Sequence, residues 1–205
     1  MSTNIPKERY YICLMKILLV IATPNEIQQE RFSNEILITG VGMLNTAVSL
    51  TQKLSSSTYD LVINLGIAGA FNKDLKVGDV VEVTEEKISE IGYQDGDCFF
   101  EFTDFKIKTY FKNKSLTDLK KVKSITVNTV HGNKKSIAQI IKRLNPDIEN
   151  MEGAAVFKVC NFFNTPCIQL RSISNYVEKR NKKNWNIQLA IQNLNFEVEQ
   201  IISRL

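Results

Sequence analysis

The segment Asp60-Leu-Val-Ile-Asn-Leu-Gly66, followed by Ala68-Gly69-Ala70, indicates the fold class of this 205-residue chain. Its apolar run has the length of a strand and no polar alternation, which is typical of a strand covered on both faces. The small residues after it predict a turn without bulky side chains. We therefore expect the carboxyl end of this strand to be open for a ligand.

Apolar runs of this kind alternate with helical patterns along the chain. We predict strands at residues 16–21, 36–39, 60–66, 77–87, 125–127 and 167–171, and helices at 44–54, 136–144, 151–163 and 187–205. The last helix has the clearest pattern, because its apolar residues repeat at helical spacing from Ile187 to Leu205. In the helix at 151–163, apolar spacing predicts that Met151, Ala155, Val159 and Phe162 share one face. Residues 88–124 are rich in aromatic side chains without a period and are predicted to be loops with one short strand.

This alternation predicts an α/β fold with helices on both faces of the sheet. No linker rich in Pro, Gly or Ser and no internal repeat divides the chain. We predict one domain over residues 16–205, preceded by a loose extension at 1–15. Ligands in such folds bind beyond the carboxyl ends of the strands.

Composition excludes several classes of protein. Hydrophobic residues make up 43% and charged residues 23% of the chain, which argues against disordered, collagen-like and disulfide-scaffold proteins. A net charge of +4, spread along the chain, gives no reason to expect a nucleic-acid partner. The longest apolar stretch, residues 10–22, is interrupted by Lys16 and is too short to span a membrane. We therefore expect a cytoplasmic protein with no membrane partner.

Metal chemistry has little support in the sequence. The single histidine is His131, and the four cysteines show no C-x-x-C spacing. The cysteines are Cys13, Cys98, Cys160 and Cys167. We expect no metal site and free thiols in a reducing compartment.

Four polar residues follow predicted strands or, for Glu152, stand at the start of a predicted helix, and each also has an ordinary structural explanation. Glu26 is either a surface charge or a functional carboxylate. Glu152 either complements a helix amino terminus or accepts from the two hydroxyls of a vicinal diol. Asn175 is either an N-cap or a polar group at the end of a strand. His131 either lies in a turn or stacks on a ring.

Taken together, six blocks in their order along residues 16–205 resemble the purine nucleosidase and phosphorylase superfamily. The blocks are Ala22-Thr-Pro-Asn-Glu26, Thr39-Gly-Val-Gly42 with Asn45, Asn64-Leu-Gly-Ile-Ala-Gly69, Leu75-Lys-Val-Gly-Asp79, Asn150-Met-Glu-Gly-Ala-Ala155 and Arg171-Ser-Ile-Ser-Asn175. The resemblance implies a three-layer αβα sandwich around a twisted mixed sheet. It also implies hydrolysis of the N-glycosidic bond of purine nucleosides without metal or cofactor, usually by a homodimer.

The resemblance also implies roles for individual residues. Glu26 would activate the attacking water, Glu152 would accept from the ribose diol, and Met151 would pack on the sugar. Ala68 and Gly69 would form part of the nucleoside pocket, and His131 is a further candidate for substrate binding. Asn175 stands at the base-side position, where adenine-releasing nucleosidases carry an aspartate.

Asn175 bears on the identity of the base. A 6-aminopurine is matched by a carboxyl group, which gives a proton to N7 and accepts from the amine. A 6-oxopurine offers O6 as an acceptor, and N7 gains a proton as the base departs, so an amide matches it by donating to O6 and accepting from N7–H. Asn175 therefore favours release of hypoxanthine over adenine.

The loops that carry phosphate-binding arginines in phosphorolytic relatives, Ala22–Glu26 and Gly42–Asn45, contain no arginine here. Water is therefore the expected nucleophile. Within the superfamily, the segments 149–153, 174–178 and 185–191 resemble futalosine hydrolases of menaquinone biosynthesis, and Asn150 and Ile67 depart from adenine nucleosidases. Arg180 or Lys182 is then expected to hold the 5′ benzoate, unless both belong to an ordinary basic surface. An adenine-releasing nucleosidase and a non-catalytic nucleoside-binding relative stay open as alternatives.

Overall fold

The computed structural model describes residues 15–205. Cys13 and residues 1–14 of the predicted extension lie outside the described residues. The strands are β1 (Ile17–Ile21), β2 (Glu35–Ile38), β3 (Leu61–Ala70), β4 (Val80–Ile88), β5 (Tyr93–Asp95), β6 (Cys98–Phe100), β7 (Tyr110–Lys112), β8 (Lys120–Thr126), β9 (Ile148–Asn150) and β10 (Cys167–Tyr176). The helices are α1 (Met43–Ser56), α2 (Lys134–Leu144), α3 (Gly153–Phe163) and α4 (Ile187–Ile202). No helix among the described residues is long and apolar enough to cross a membrane.

The strands form a mixed sheet that closes on itself. Its order is β10-β4-β8-β9-β3-β1-β2, and β10 also pairs in parallel with β3. The strands β3, β9, β8, β4 and β10 therefore make a closed ring from which β1 and β2 extend. Strand β3 is long enough to pair with β1 over residues 61–64 and with β9 at Gly69 and Ala70. Closure brings the ends of strands that are distant in sequence to one rim.

Helices cover both faces of this sheet, and the side chains of β1 show how. Leu18 and Val20 belong to a buried cluster that includes Leu50 of α1 and Phe157 of α3. The alternate residues of β1 face the other way and join a second buried cluster, to which α4 contributes Leu194, Val198 and Ile201. A strand that is buried on both faces has no polar alternation, which is the pattern that the sequence shows. The predicted α/β class with a mixed sheet is confirmed.

The predicted turn after residue 66 is wrong. Strand β3 continues to Ala70 because Gly69 pairs with Glu149 of β9 on one side and with Asn175 of β10 on the other. Small residues are needed here by close approach and not by a turn, since a Cβ on Gly69 would meet the Val177 side chain at 2.9 Å. Strand β10 likewise continues past the predicted end at 171 because β3 supplies its partners.

Other differences have similar causes. Residues 88–124 contain β5, β6, β7 and the beginning of β8, and β9 was not predicted, because short strands depend on their partners more than on their own pattern. Met151 precedes α3, and Phe162 is 76% exposed, so neither is part of the buried face of that helix. Leu205 lies beyond the end of α4 and is also exposed.

Candidate active site

The eight residues with predicted roles in the site line one cavity of about 220 Å³ at the closed rim. They are Glu26, Ala68, Gly69, His131, Met151, Glu152, Asn175 and Arg180. They come from five separate parts of the chain, and the carboxyl ends of β1, β3 and β10 supply four of them. The geometry brings the residues together, while their individual roles stay predictions.

Glu26 ends a short 3₁₀ turn, Pro24–Glu26, directly after β1. Its Oε2 accepts from the backbone N–H groups of Thr23 at 2.8 Å and Ala22 at 3.1 Å, and from the Thr23 hydroxyl at 3.3 Å. Burial raises the pKa of Glu26 above its ordinary value and the Glu152 charge adds to this, against the lowering effects of the Thr23 N–H and the Arg171 charge. A fixed carboxylate with a raised pKa is suited to exchange a proton with a water molecule.

Arg171 is a buried cation behind Glu26. Its guanidinium donates from Nη2 to Asn64 at 2.6 Å, and it does not line the cavity. Gly66 lets both side chains lie close to its backbone, because a Cβ on Gly66 would lie 2.9 Å from Nη1 of Arg171 and 3.4 Å from Oε1 of Glu26. The positive charge of Arg171 interacts electrostatically with the carboxylates of Glu152, Glu26 and Glu86. It therefore favours the ionised forms of Glu26 and Glu86 without itself lining the cavity.

Glu152 is the N-cap residue of α3, but its side chain does not cap the helix. Asn150 does so instead, because its Oδ1 accepts from the backbone N–H groups of Glu152 at 2.9 Å and Gly153 at 2.6 Å. The Glu152 carboxylate accepts from the Gly42 N–H at 3.0 Å, at the start of α1. The side chain of Glu152 therefore makes no capping hydrogen bond to α3, and its carboxylate lines the cavity.

A buried polar network supports Asn150 from behind. Its Nδ2 donates to Glu86 at 2.9 Å and to the Ser124 hydroxyl at 2.8 Å. Glu86 also accepts from Gln169 at 2.8 Å and from Thr126 at 3.0 Å. Burial raises the pKa of Glu86, and its hydrogen bonds and the nearby Arg171 oppose that rise. Buried groups with this many partners hold Asn150, and with it the start of α3, in one position.

Asn175 owes its orientation to an irregularity in β10. The pairing with β3 shifts between Ile173 and Asn175, which is a β-bulge at Ser174. The Asn175 side chain accepts from the Ser174 hydroxyl at 2.8 Å and donates to the Tyr176 carbonyl at 2.9 Å. The N-cap explanation for this residue is wrong, because β10 continues through it and Asn186 caps α4. An amide NH₂ has two hydrogens, so one is left for a ligand.

His131 lies in the irregular loop between β8 and α2, and its ring forms a T-shaped pair with Phe71 at a centroid distance of 5.9 Å. Its Nδ1 is 2.6 Å from Oε2 of Glu149, and its backbone N–H donates to Oε1 at 3.0 Å. Glu149 is buried and lines the same cavity. The site thus contains a held histidine and carboxylate pair.

Arg180 lies on the loop after β10 and lines the cavity. Its guanidinium carbon is 5.0 Å from the centroid of the Trp185 ring, and its Cβ lies against Gly132. Lys182, the other predicted cation, is exposed and does not line the cavity.

Sequence reasoning assigned no role to Glu149, Glu86 or Arg171. Arg171 is a charged residue in an apolar segment that is predicted as a strand, and that contrast is the signal that could have found it. Glu86 and Glu149 stand among other polar residues, which give no such signal. Among residues 15–205, no three His, Cys, Asp or Glu side chains are grouped as a metal site requires. What the cavity combines is one carboxylate suited to proton transfer, a second with free acceptor capacity, and an amide.

Comparisons with known proteins agree with this geometry. The family model described as the phosphorylase superfamily matches residues 35–203. A 5′-methylthioadenosine/S-adenosylhomocysteine nucleosidase from a Marinomonas species is 28% identical over 186 residues, which cover 82% of this chain and 79% of that protein. A futalosine hydrolase from Thermus thermophilus is 25% identical over 180 residues, which cover 82% of this chain and 80% of that protein.

Solved structures extend the likeness to the fold. The 5′-methylthioadenosine/S-adenosylhomocysteine nucleosidase of Helicobacter pylori superimposes with a TM-score of 0.81 at 17% identity. The match covers 94% of this chain and 100% of the Helicobacter pylori chain. At this identity the likeness supports the fold alone.

Proposed function

This chain belongs to the phosphorylase superfamily, and from that premise we propose that it hydrolyses futalosine and releases hypoxanthine. Its homologues are nucleosidases, and it is an enzyme that cleaves the N-glycosidic bond of purine nucleosides. The proposal adds the identity of the base, the nucleophile and the 5′ substituent.

The observation that carries the proposal is the amide of Asn175 in the cavity wall. Its NH₂ has a hydrogen free for O6 of a 6-oxopurine, and it has no ionisable proton to give to N7 of adenine. Mispairing one buried polar edge costs about 1–3 kcal/mol, which is a preference of roughly tenfold to a hundredfold. Asn175 thus supports hypoxanthine as the leaving base.

Water is the proposed nucleophile, and Glu26 its base. Three donors hold Oε2, whereas no described residue donates a hydrogen bond to Oε1, which lies beside Gly66. Oε1 can therefore take a proton from water. The nearest buried cation, Arg171, does not line the cavity, so it gives no phosphate site there.

The sugar would lie between Glu26 and Glu152. A carboxylate with two oxygens can accept from both hydroxyls of a ribose diol, and the Gly42 N–H holds Oε1 of Glu152 toward the cavity. Met151 lines the cavity beside Glu152 and offers an apolar surface to the ring. Negative charge close to the sugar also stabilises an oxocarbenium-like transition state.

Arg180 is the cation proposed for the benzoate of futalosine, because it lines the cavity and is exposed enough to move toward an anion. An adenine-releasing nucleosidase is the second candidate. The 28% identity to such an enzyme favours it, whereas Asn175 argues against it.

We also propose a homodimer. An apolar strip beside the cavity is exposed, with Leu44 at 78%, Val48 at 51%, Val41 at 48% and Ile38 at 43%, and Val41 itself lines the cavity. Such a strip suits a self-complementary contact that closes the site. Light scattering after size-exclusion chromatography should give twice the 23.4 kDa chain mass, and a monomer at micromolar concentration would contradict the proposal.

The function is tested by chromatographic detection of free base. The purified protein is incubated with futalosine, inosine and methylthioadenosine, each with and without phosphate. We expect hypoxanthine from futalosine, independent of phosphate. Adenine from methylthioadenosine at a higher rate would establish the second candidate, and a requirement for phosphate would contradict water as the nucleophile.

A further inference from the structure

Glu149 is a buried carboxylate that the proposed reaction does not use. It is 4% exposed, yet it lines the cavity from the short strand β9. Its backbone pairs with Gly69 of β3, which pairs in turn with Asn175 of β10. A carboxylate is rarely buried without hydrogen-bond or ion-pair partners. Burying one in a cavity wall costs free energy unless a group in the cavity bonds to it.

His131 holds the Glu149 carboxylate in one orientation. The backbone N–H of His131 donates to Oε1 at 3.0 Å, and the ring Nδ1 lies 2.6 Å from Oε2. Phe71 packs on the imidazole in a T-shaped arrangement and restricts it further. A carboxylate has about four acceptor positions, so these two contacts leave each oxygen able to accept another hydrogen bond.

Glu149 and Asn175 lie close together on either side of Gly69. A Cβ on Gly69 would be 3.6 Å from Cγ of Glu149 and 3.4 Å from Nδ2 of Asn175. Both side chains therefore reach the space above Gly69, which has no side chain of its own to occupy it. A flat ring in that space would present one edge to an acceptor and to a donor together.

The geometry points to Glu149 as a determinant of base specificity that accepts a hydrogen bond from N1–H of a 6-oxopurine. The inference rests on the proposed function, because it requires a purine in the cavity. Hypoxanthine presents the donor N1–H beside the acceptor O6, which matches the carboxylate of Glu149 and the NH₂ of Asn175. Adenine presents a lone pair at N1 and an amine at C6, which sets an acceptor against the carboxylate. His131 is then a positioning residue that acts through Glu149.

The experiment compares two purine nucleosides that differ only at C6. We measure kcat/KM for futalosine and for its 6-amino counterpart with the unmodified protein and with Glu149→Gln. Glutamine keeps the shape but can donate to adenine N1 as well as accept from N1–H. We expect the 6-oxo to 6-amino preference to fall by about tenfold to a hundredfold.

Glu90→Gln is the matched control. Glu90 is held by the same loop as His131, through the N–H and side chain of Asn128, but it lies outside the cavity. Glu90→Gln should leave the 6-oxo to 6-amino preference unchanged. An unchanged preference in Glu149→Gln, with hydrolysis retained, would overturn the inference and reduce Glu149 to a support for the loop.

Calorimetric binding of free bases to the unmodified protein separates this inference from the proposed function. Hypoxanthine should bind about tenfold or more tightly than adenine or 1-methylhypoxanthine, which lacks N1–H, whether or not futalosine is hydrolysed. Equal binding of hypoxanthine and adenine would overturn the inference even if futalosine is a substrate. Because this measurement needs no variant, it holds if Glu149→Gln fails to fold.

Discussion

Replacement of Gly66 by alanine should disturb both the buried Arg171 and the Glu26 carboxylate, because both lie close to Gly66. The new Cβ would lie 2.9 Å from Nη1 and 3.3 Å from Cζ of Arg171, and 3.4 Å from Oε1 of Glu26. Arg171 is 1% exposed, and its Nη2 is committed to Asn64 at 2.6 Å, so the guanidinium has little room to move. The clash must therefore be relieved by displacing either the cation or the carboxylate.

The size of the effect follows from these contacts. Overpacking a buried site costs about 1–3 kcal/mol, and weakening a hydrogen bond from a charged donor costs about 1.5–3 kcal/mol if Arg171 gives way. The two are alternative ways to relieve one clash, so we expect a total loss of about 2 kcal/mol. In a chain of 205 residues this is a fall in Tm of roughly 4–8 °C. Turnover should fall by about tenfold or more, because the Glu26 oxygen nearest the substitution is the one proposed to meet water.

Urea unfolding and hypoxanthine release measure the two effects on the same preparation. Gly132→Ala is the control for stability, since its Cβ would meet Arg180 only at 3.5 Å, an ordinary contact, and its unfolding midpoint should not fall. If Gly66→Ala matched the unmodified protein in both stability and turnover, the close approach of Arg171 and Glu26 to Gly66 would be refuted as the reason for glycine at this position.

Two further predictions concern the catalytic groups. Glu26→Gln should lower kcat by about a hundredfold to ten-thousandfold with little change in KM, because the amide oxygen can still accept from Thr23 but cannot take a proton. Burial raises the pKa of Glu26. As the pH is lowered, kcat/KM of the unmodified protein should therefore begin to fall at a higher pH than an ordinary glutamate would give. If Glu26→Gln kept full turnover and the same fall at acidic pH, Glu26 would not have this role. Asn175→Asp should move the kcat/KM preference toward 6-amino nucleosides by about tenfold to a hundredfold, and an unchanged ratio for the two nucleosides would refute the pairing at O6.

Some parts of the site could be read from sequence because they are local. Glu26, Glu152 and Asn175 each follow a strand or precede a helix in a block whose order resembles a known superfamily, and the structure brings all three to one cavity. Their competing explanations were also local, and only the structure shows what each side chain contacts. Asn150, two residues from Glu152, takes the capping contacts that the sequence left open to Glu152.

Other parts were hidden because they depend on partners far along the chain. Glu149 meets His131 across 18 positions, and Arg171 meets Asn64 across 107. The alanine and glycine residues at 68–70 were predicted to form a turn, since nothing local shows that two other strands pair with them. Without those pairings, the sequence does not show which way the side chain of a charged residue in a strand points.

The sequence by itself determined the alternation of strands and helices, the burial of the central strands and the residue types offered at the strand ends, because these depend on periodicity and on neighbours in the chain. The tertiary structure alone decided that β10 closes the sheet onto β3, that a bulge at Ser174 turns Asn175 to the cavity, and that Glu149 stands beside it across Gly69. Register and closure are set by the packing of the whole sheet, so no local stretch of the chain contains them.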